Sequence, residues 1–205
     1  MKVLPGMPLD RAEAATPAKE PSAAWLFFKR WMARPMQMAS ITPSSPSLSR
    51  LISSQVRQEQ DEVVVEFGGG TGAITRALLE QGVAPQKLYT VERDPELAPY
   101  LRRHFPQVNI LEGDVVDVRR MLPPHLVGKV GTVVCGIPMI LIPVDAQRAI
   151  VDEIFAIMPK GRRFYAYTYS ARSPLKRSAL GIKGKRVGFT IANVPPASVW
   201  GYWRD

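Results

Sequence analysis

The chain has 205 residues, 46% of them hydrophobic and 22% charged, with a formal net charge of +9. That length and balance fit one α/β-sized globular domain with a substantial core and exclude a disordered or fibrous chain. A single cysteine excludes an internal disulfide, two histidines leave little material for a zinc site, and the excess of cations calls for an anionic partner: nucleic acid, a membrane surface or an acidic substrate.

Residues 1–20 mix Ala, Pro and charged residues without an apolar run, which predicts a loose tail rather than a signal peptide. No stretch reaches the roughly 18 apolar residues of a spanning helix. Pro21 to Arg34 carry a helical pattern. Ala24, Phe27, Phe28, Trp31 and Met32 share a stripe with Trp25 at its edge, and Lys29, Arg30 and Arg34 lie opposite. An aromatic stripe facing away from cations is the pattern of an interfacial helix, and it would equally pack on a core as an ordinary first helix. Ala39 to Pro46 form a loop rich in hydroxyls and prolines, and Ser47 to Val56 a second helix. We divide the chain into a tail (1–20), N-terminal helices and loop (21–60) and a main domain (61–205).

From Glu62 onward strands and helices alternate. Strands end near Glu66, Glu92 and Leu111, and another runs from Thr132 to Cys135. Helices follow at Ala73–Gln81, Pro95–His104 with Asp94 as N-cap, Val115–Leu122 and Val144–Met158. Arg163 to Tyr169 form a fifth strand, Ser170 to Lys185 a basic loop, and Arg186–Asn193 with Ser198–Trp203 a closing hairpin. This alternation predicts a seven-stranded, mostly parallel sheet covered by helices on both faces, with an antiparallel hairpin at the end.

The first strand runs into Glu66–Phe67–Gly68–Gly69–Gly70–Thr71–Gly72, a glycine turn before a helix N-terminus, where a nucleotide-like ligand is held. Glu92, at the end of the second strand, can accept both hydroxyls of a ribose. This much fits a dinucleotide enzyme or an S-adenosylmethionine enzyme. Gly113–Asp114–Val115 after the third strand adds an acid that can accept from the adenine amine, beside a backbone N–H for the ring. With that third signal and the closing hairpin the chain looks like a class I S-adenosylmethionine-dependent methyltransferase of Rossmann-like fold.

Within that class it is similar to the bacterial phospholipid N-methyltransferases. The residues that carry the resemblance are Ala39–Ser45, the glycine turn, Val91–Pro95, Cys135–Gly136–Ile137–Pro138, Tyr167–Ser170, Ser173–Pro174 and Asn193–Ala197 before Val199–Trp200. The resemblance implies S-adenosylmethionine as cofactor, held by Glu66, Gly68, Gly70, Thr71, Gly72, Glu92, Gly113, Asp114, Val115, Cys135 and Gly136. It implies N-methylation of phosphatidylethanolamine, stepwise to phosphatidylcholine, by a cytoplasmic monomer peripheral on the inner membrane. Tyr167 and Tyr169 are the catalytic candidates: their hydroxyls can accept from the amine, and their rings can hold a methylammonium. Trp25, Phe28, Lys29, Arg30 and Trp31 would meet the anionic membrane surface, and Arg172 the headgroup phosphate. Thr42, Ser44 and Ser45 would close over the cofactor or contact the headgroup; as caps for the helix after Pro46 they would be equally natural.

The chain also resembles ribosomal RNA adenine dimethyltransferases. Those place an amide or acid and a stacking aromatic where this chain has Cys135–Gly136–Ile137–Pro138–Met139, so no nucleic-acid partner is expected. Transfer to RNA adenine, and a peripheral membrane binder that keeps the fold without turnover, are the alternatives.

Overall fold

The β-branched runs assemble into one seven-stranded sheet in the computed structural model, which describes residues 45–205. The expectations placed on Trp25, Phe28, Lys29, Arg30, Trp31, Thr42 and Ser44 lie outside the described residues. The strands are β1 (Val63–Phe67), β2 (Leu88–Glu92), β3 (Asn109–Glu112), β4 (Val130–Cys135), β5 (Arg163–Thr168), β6 (Lys183–Thr190) and β7 (Ala197–Trp203). Their order is β3-β2-β1-β4-β5-β7-β6. The first five run parallel, and β7 lies antiparallel between β5 and β6. The expected sheet and closing hairpin are both present.

Among the described residues six helices flank the sheet: α1 (Pro46–Ser53), α2 (Ala73–Glu80), α3 (Leu97–His104), α4 (Val118–Met121), α5 (Val144–Ile157) and α6 (Arg177–Leu180). Strand alternation sorts the core into two layers. Val64, Val134, Tyr165 and Val199 point to one face, where Leu48 and Ile52 of α1, Ile74 and Leu78 of α2 and Leu101 of α3 cover them. Val65, Phe67, Val133, Cys135 and Phe164 point to the other, against Val118 of α4 and Val151 and Ile154 of α5. α1, drawn from the segment 21–60, is thus built into the core of the sheet.

Several boundaries differ from the sequence reading. The helix expected from Pro95 begins at Leu97, although Asp94 still caps it: its Oδ1 accepts from the N–H of Glu96 and Leu97 at 2.8 and 3.0 Å. The helix expected over Val115–Leu122 is a 3-10 turn (Val115–Asp117) followed by the short α4. β5 stops at Thr168, one residue short of Tyr169. The basic loop contains α6, and β6 begins within it at Lys183. The cations Lys183 and Lys185 hide the start of that strand, expected only from Arg186, because it is the sheet edge, where charge guards against unwanted pairing.

Candidate active site

The strand order reverses between β1 and β4, and ligands of open α/β sheets bind beyond the carboxyl ends of strands at such a switch point. The two loops meet there: the Gly136 N–H donates to the Phe67 carbonyl at 2.8 Å. A Cβ on Gly136 would come within 2.9 Å of the Gly68 carbonyl oxygen and 3.1 Å of that of Phe67, so only glycine permits this approach. Gly70 has φ +54, and a Cβ there would meet nothing within 4 Å. Its N–H donates to Glu92 Oε2 at 2.8 Å, while Glu92 Oε1 accepts from the Asp94 N–H at 2.9 Å. Glu92 therefore ties the glycine turn to the loop after β2, and the turn opens onto free space. Thr71, at its crest, is exposed, and Gly72 caps α2.

Glu66 lies under this turn, fully buried. Its Oε2 accepts from the Thr75 and Thr90 hydroxyls at 2.6 and 3.1 Å, and its Oε1 has no partner among the described residues. Loss of solvent outweighs the two hydroxyls and raises its pKa from 4.5 to about 8. A buried carboxyl with an unused oxygen, next to a glycine cradle with room above it, suits the ammonium and ribose ends of S-adenosylmethionine. Thr75 and Thr90 are partners that the sequence reading missed. Thr90 faces Glu66 only because β1 and β2 pair in that register.

The remaining candidates fall in several places. Asp114 pairs with Arg93 at 3.1 Å, and its other oxygen accepts from the Val116 N–H at 3.2 Å, which orients it at the rim after β3. Gly113 donates its N–H to the Glu92 carbonyl at 3.0 Å. The Val115 side chain is buried in the core. Cys135 is also a core residue: its thiol is fully buried and pushed up to about 12 by desolvation, so only its backbone borders the site. Tyr167 lies on the sheet face that carries Glu66, two strands across and two residues further along, about 12 Å away. Tyr169 stands beside it, rings edge to face with centroids 5.9 Å apart, and is exposed just past the carboxyl end of β5, the mouth of the candidate site.

Ser45 is the helix cap: its Oγ accepts from the Leu48 N–H at 3.2 Å, and its own N–H donates to Asn193 Oδ1 at 3.0 Å. Arg172 is exposed and lines, with Lys176, Arg177 and Lys183, an open basic groove of about 700 Å³ that runs to Trp203. Trp203 pairs with Lys183 near the amino end of β5, so the groove reaches away from the tyrosines. Gln147 was not singled out from sequence. Buried on α5, it donates to the Met139 and Ile142 carbonyls at 2.8 and 3.1 Å and accepts from the Lys176 N–H at 3.2 Å. It thereby fastens the loop after β4 to the loop after β5.

The strand order, the glycine turn under which Glu66 is buried and the acid at Glu92 define a class I S-adenosylmethionine-dependent methyltransferase. Comparison with known proteins agrees. Solved structures that share the fold include Burkholderia thailandensis 1,6-didemethyltoxoflavin-N1-methyltransferase with S-adenosylhomocysteine (TM-score 0.63, 16% identity, 96% of this chain and 98% of that one). Another is magnesium protoporphyrin IX methyltransferase from Synechocystis PCC 6803 with bound S-adenosylmethionine (TM-score 0.60, 13% identity, 93% and 100%). No family model matches the chain. An ornithine lipid N-methyltransferase of Singulisphaera acidiphila is 31% identical over 147 residues, 70% of this chain and 77% of that protein. The chain belongs to the family of this lipid N-methyltransferase. Ribosomal RNA small subunit methyltransferase A of Chlorobium chlorochromatii is 43% identical over only 58 residues, 28% of this chain and 21% of that one.

Proposed function

We propose that the protein transfers methyl groups from S-adenosylmethionine to the primary amine of a membrane lipid headgroup, with phosphatidylethanolamine, methylated stepwise to phosphatidylcholine, as the acceptor. The observation that carries this reading is the kinship with a lipid N-methyltransferase along most of both chains. The kinship with an rRNA enzyme, by contrast, is confined to a short stretch. Because the relative acts on an ornithine lipid, that lipid's amine is the second reading.

Bound S-adenosylmethionine supplies an electrophilic methyl group. The protein's part is to position the acceptor and remove its proton, because an ammonium has no lone pair. If the amine titrates like lysine, freeing it at pH 7 costs roughly 4 kcal/mol. The Tyr169 hydroxyl accepts a hydrogen bond from the acceptor nitrogen and orients its lone pair towards the methyl group, while the proton passes to solvent, to which Tyr169 is exposed. The Tyr167 and Tyr169 rings attract each methylammonium product by about 0.5–2 kcal/mol. Glu66 and the cradle at Gly68, Gly70, Thr71 and Gly72 hold the methionine end. Glu92 takes the ribose, and Asp114 with the Val115 backbone takes the adenine. Gly136 and the Cys135 carbonyl wall the reacting centre, and Arg172 meets the phosphate.

The aromatic segment 21–34 and the cationic surface bring the enzyme to the cytoplasmic face of the membrane. Among the described residues no helix is long and apolar enough to cross a bilayer. The test is transfer of labelled methyl groups to vesicles that contain phosphatidylethanolamine or an ornithine lipid in parallel. Label in the first supports the proposal, label in the second alone selects the second reading, and label in neither refutes both.

A further inference from the structure

Six large hydrophobic side chains stand exposed among the described residues: Val116, Ile140, Tyr169, Phe189, Ile191 and Val194. Five lie beyond the carboxyl ends of the parallel strands, the edge that holds the glycine turn, and Phe189 is level with Thr168, the last residue of β5. Val116 follows β3, Ile140 follows β4 and Tyr169 follows β5. The other three belong to the β6–β7 hairpin, whose register (Thr190 opposite Ala197, Ser198 opposite Thr168) projects residues 191–196 past the end of β5. Chance would scatter such residues around the surface.

The hairpin tip is the most exposed part, with Ile191 at 76% and Val194 at 79%. It is also firmly built. Asn193 is buried between them; its Nδ2 donates to the Pro195 carbonyl at 2.8 Å and its Oδ1 accepts from the Ser45 N–H. The Thr190 hydroxyl accepts from the Ala192 N–H at 3.2 Å. With Asn193 turned inward, Ile191 and Val194 are thrown outward as a fixed apolar wedge.

Charge selects the occupant. No residue from Val187 to Trp203 is charged, while Lys185 and Arg186 flank the wedge. The Arg186 guanidinium lies 5.7 Å from the Phe189 ring centroid. Between Glu153 and Asp205 the chain carries ten lysines and arginines and no acid. A second copy would bring the same cations against these. The chain's own residues 1–44, with six Lys and Arg against three Asp and Glu, are net cationic too. An anionic bilayer matches both features, with headgroups for the cations and an acyl boundary for the wedge.

We infer that the β6–β7 hairpin tip, through Phe189, Ile191 and Val194 with Ile140 beside the mouth, inserts into the interface of an anionic lipid bilayer and holds the active-site edge against it. The inference rests on the lipid-amine reading of the site, since an acceptor drawn from a bilayer needs its amine delivered at Tyr169.

A single environment-sensitive dye on full-length protein tests this, because the one native cysteine, Cys135, is fully buried and does not compete for label. Dye is placed at Ile191→Cys and, as a control on the opposite edge, at the exposed Ala84→Cys that precedes β2. Vesicles of phosphatidylcholine with roughly a third phosphatidylglycerol provide the anionic surface without a primary amine. We expect a blue shift at 191 and none at 84, and about tenfold weaker vesicle binding for Ile191→Ser/Val194→Ser with S-adenosylmethionine binding retained.

An unshifted 191 dye, or equal shifts at both positions, overturns the inference. A dye already shielded without vesicles would mean that residues 1–44 cover the tip. Emission that changes with protein concentration would mean a second copy does. Both outcomes also overturn it. Insertion without lipid methylation would refute the activity alone, and lipid methylation without insertion would refute the docking alone.

Discussion

Replacing Glu66 with glutamine removes a charge while keeping its shape, and the structure fixes what should follow. With a folded pKa of about 8 against an ordinary 4.5, Glu66 holds a proton in the folded, cofactor-free protein that the unfolded chain releases above pH 4.5. Its share of stability is therefore full below pH 4.5, declines as pH rises towards 8 and is level above that. At about 1.4 kcal/mol per pH unit the decline amounts to roughly 3–5 kcal/mol. Glu66→Gln, neutral throughout, should lose this slope and stay within about 1–2 kcal/mol of the native protein near pH 6.

Cofactor binding reverses the preference, because an ammonium beside Oε1 favours the carboxylate. Wild-type protein should then release most of one proton on binding S-adenosylmethionine at pH 7, and Glu66→Gln none. The variant should also bind about ten- to a hundredfold more weakly. Urea melts from pH 5 to 9, with calorimetry in two buffers of different ionisation enthalpy, measure all three. Equal proton release by both proteins, or a stability slope that survives the substitution, would refute this account of Glu66.

Gly136→Ala should destabilise the fold by about 2 kcal/mol and weaken cofactor binding, since its Cβ meets backbone oxygens of β1 and the glycine turn rather than a movable side chain; thermal melts and calorimetry check both. Gln147→Leu leaves the Ile142 carbonyl and the Lys176 N–H without their side-chain partner and takes one of two donors from the Met139 carbonyl, and should cost about 2–4 kcal/mol in urea melts, with cofactor affinity less affected. Tyr169→Phe should lower turnover on lipid vesicles about tenfold or more while leaving the dissociation constant for S-adenosylmethionine within twofold or so. Unchanged turnover would remove its hydroxyl from the mechanism.

The parts of the fold written in local pattern were legible in the sequence. Val63–Val64–Val65 running into an acid and three glycines announces a buried strand, a turn and a helix start, and Asp94 before a helix announces a cap. Less legible were features that depend on register or on distant contacts. Thr90 meets Glu66 only through strand pairing, and Asn193 reaches Ser45 across 148 residues. Gln147 looks like a polar position on an amphipathic helix, and its burial follows from two loops folding over it. The exposed wedge at Ile191 and Val194 was hidden for a related reason. In sequence they read as ordinary hairpin residues, and only the pairing of β7 with β5 places them at the mouth of the site.

The central claim is that the acceptor is a lipid amine. Purified protein, labelled S-adenosylmethionine and phosphatidylethanolamine vesicles, with ribosomal RNA as the competing acceptor, test it in one reaction. The account predicts label in mono-, di- and trimethylated lipid and none in RNA. Label in RNA alone, or cofactor bound with no label in any lipid amine, would contradict it.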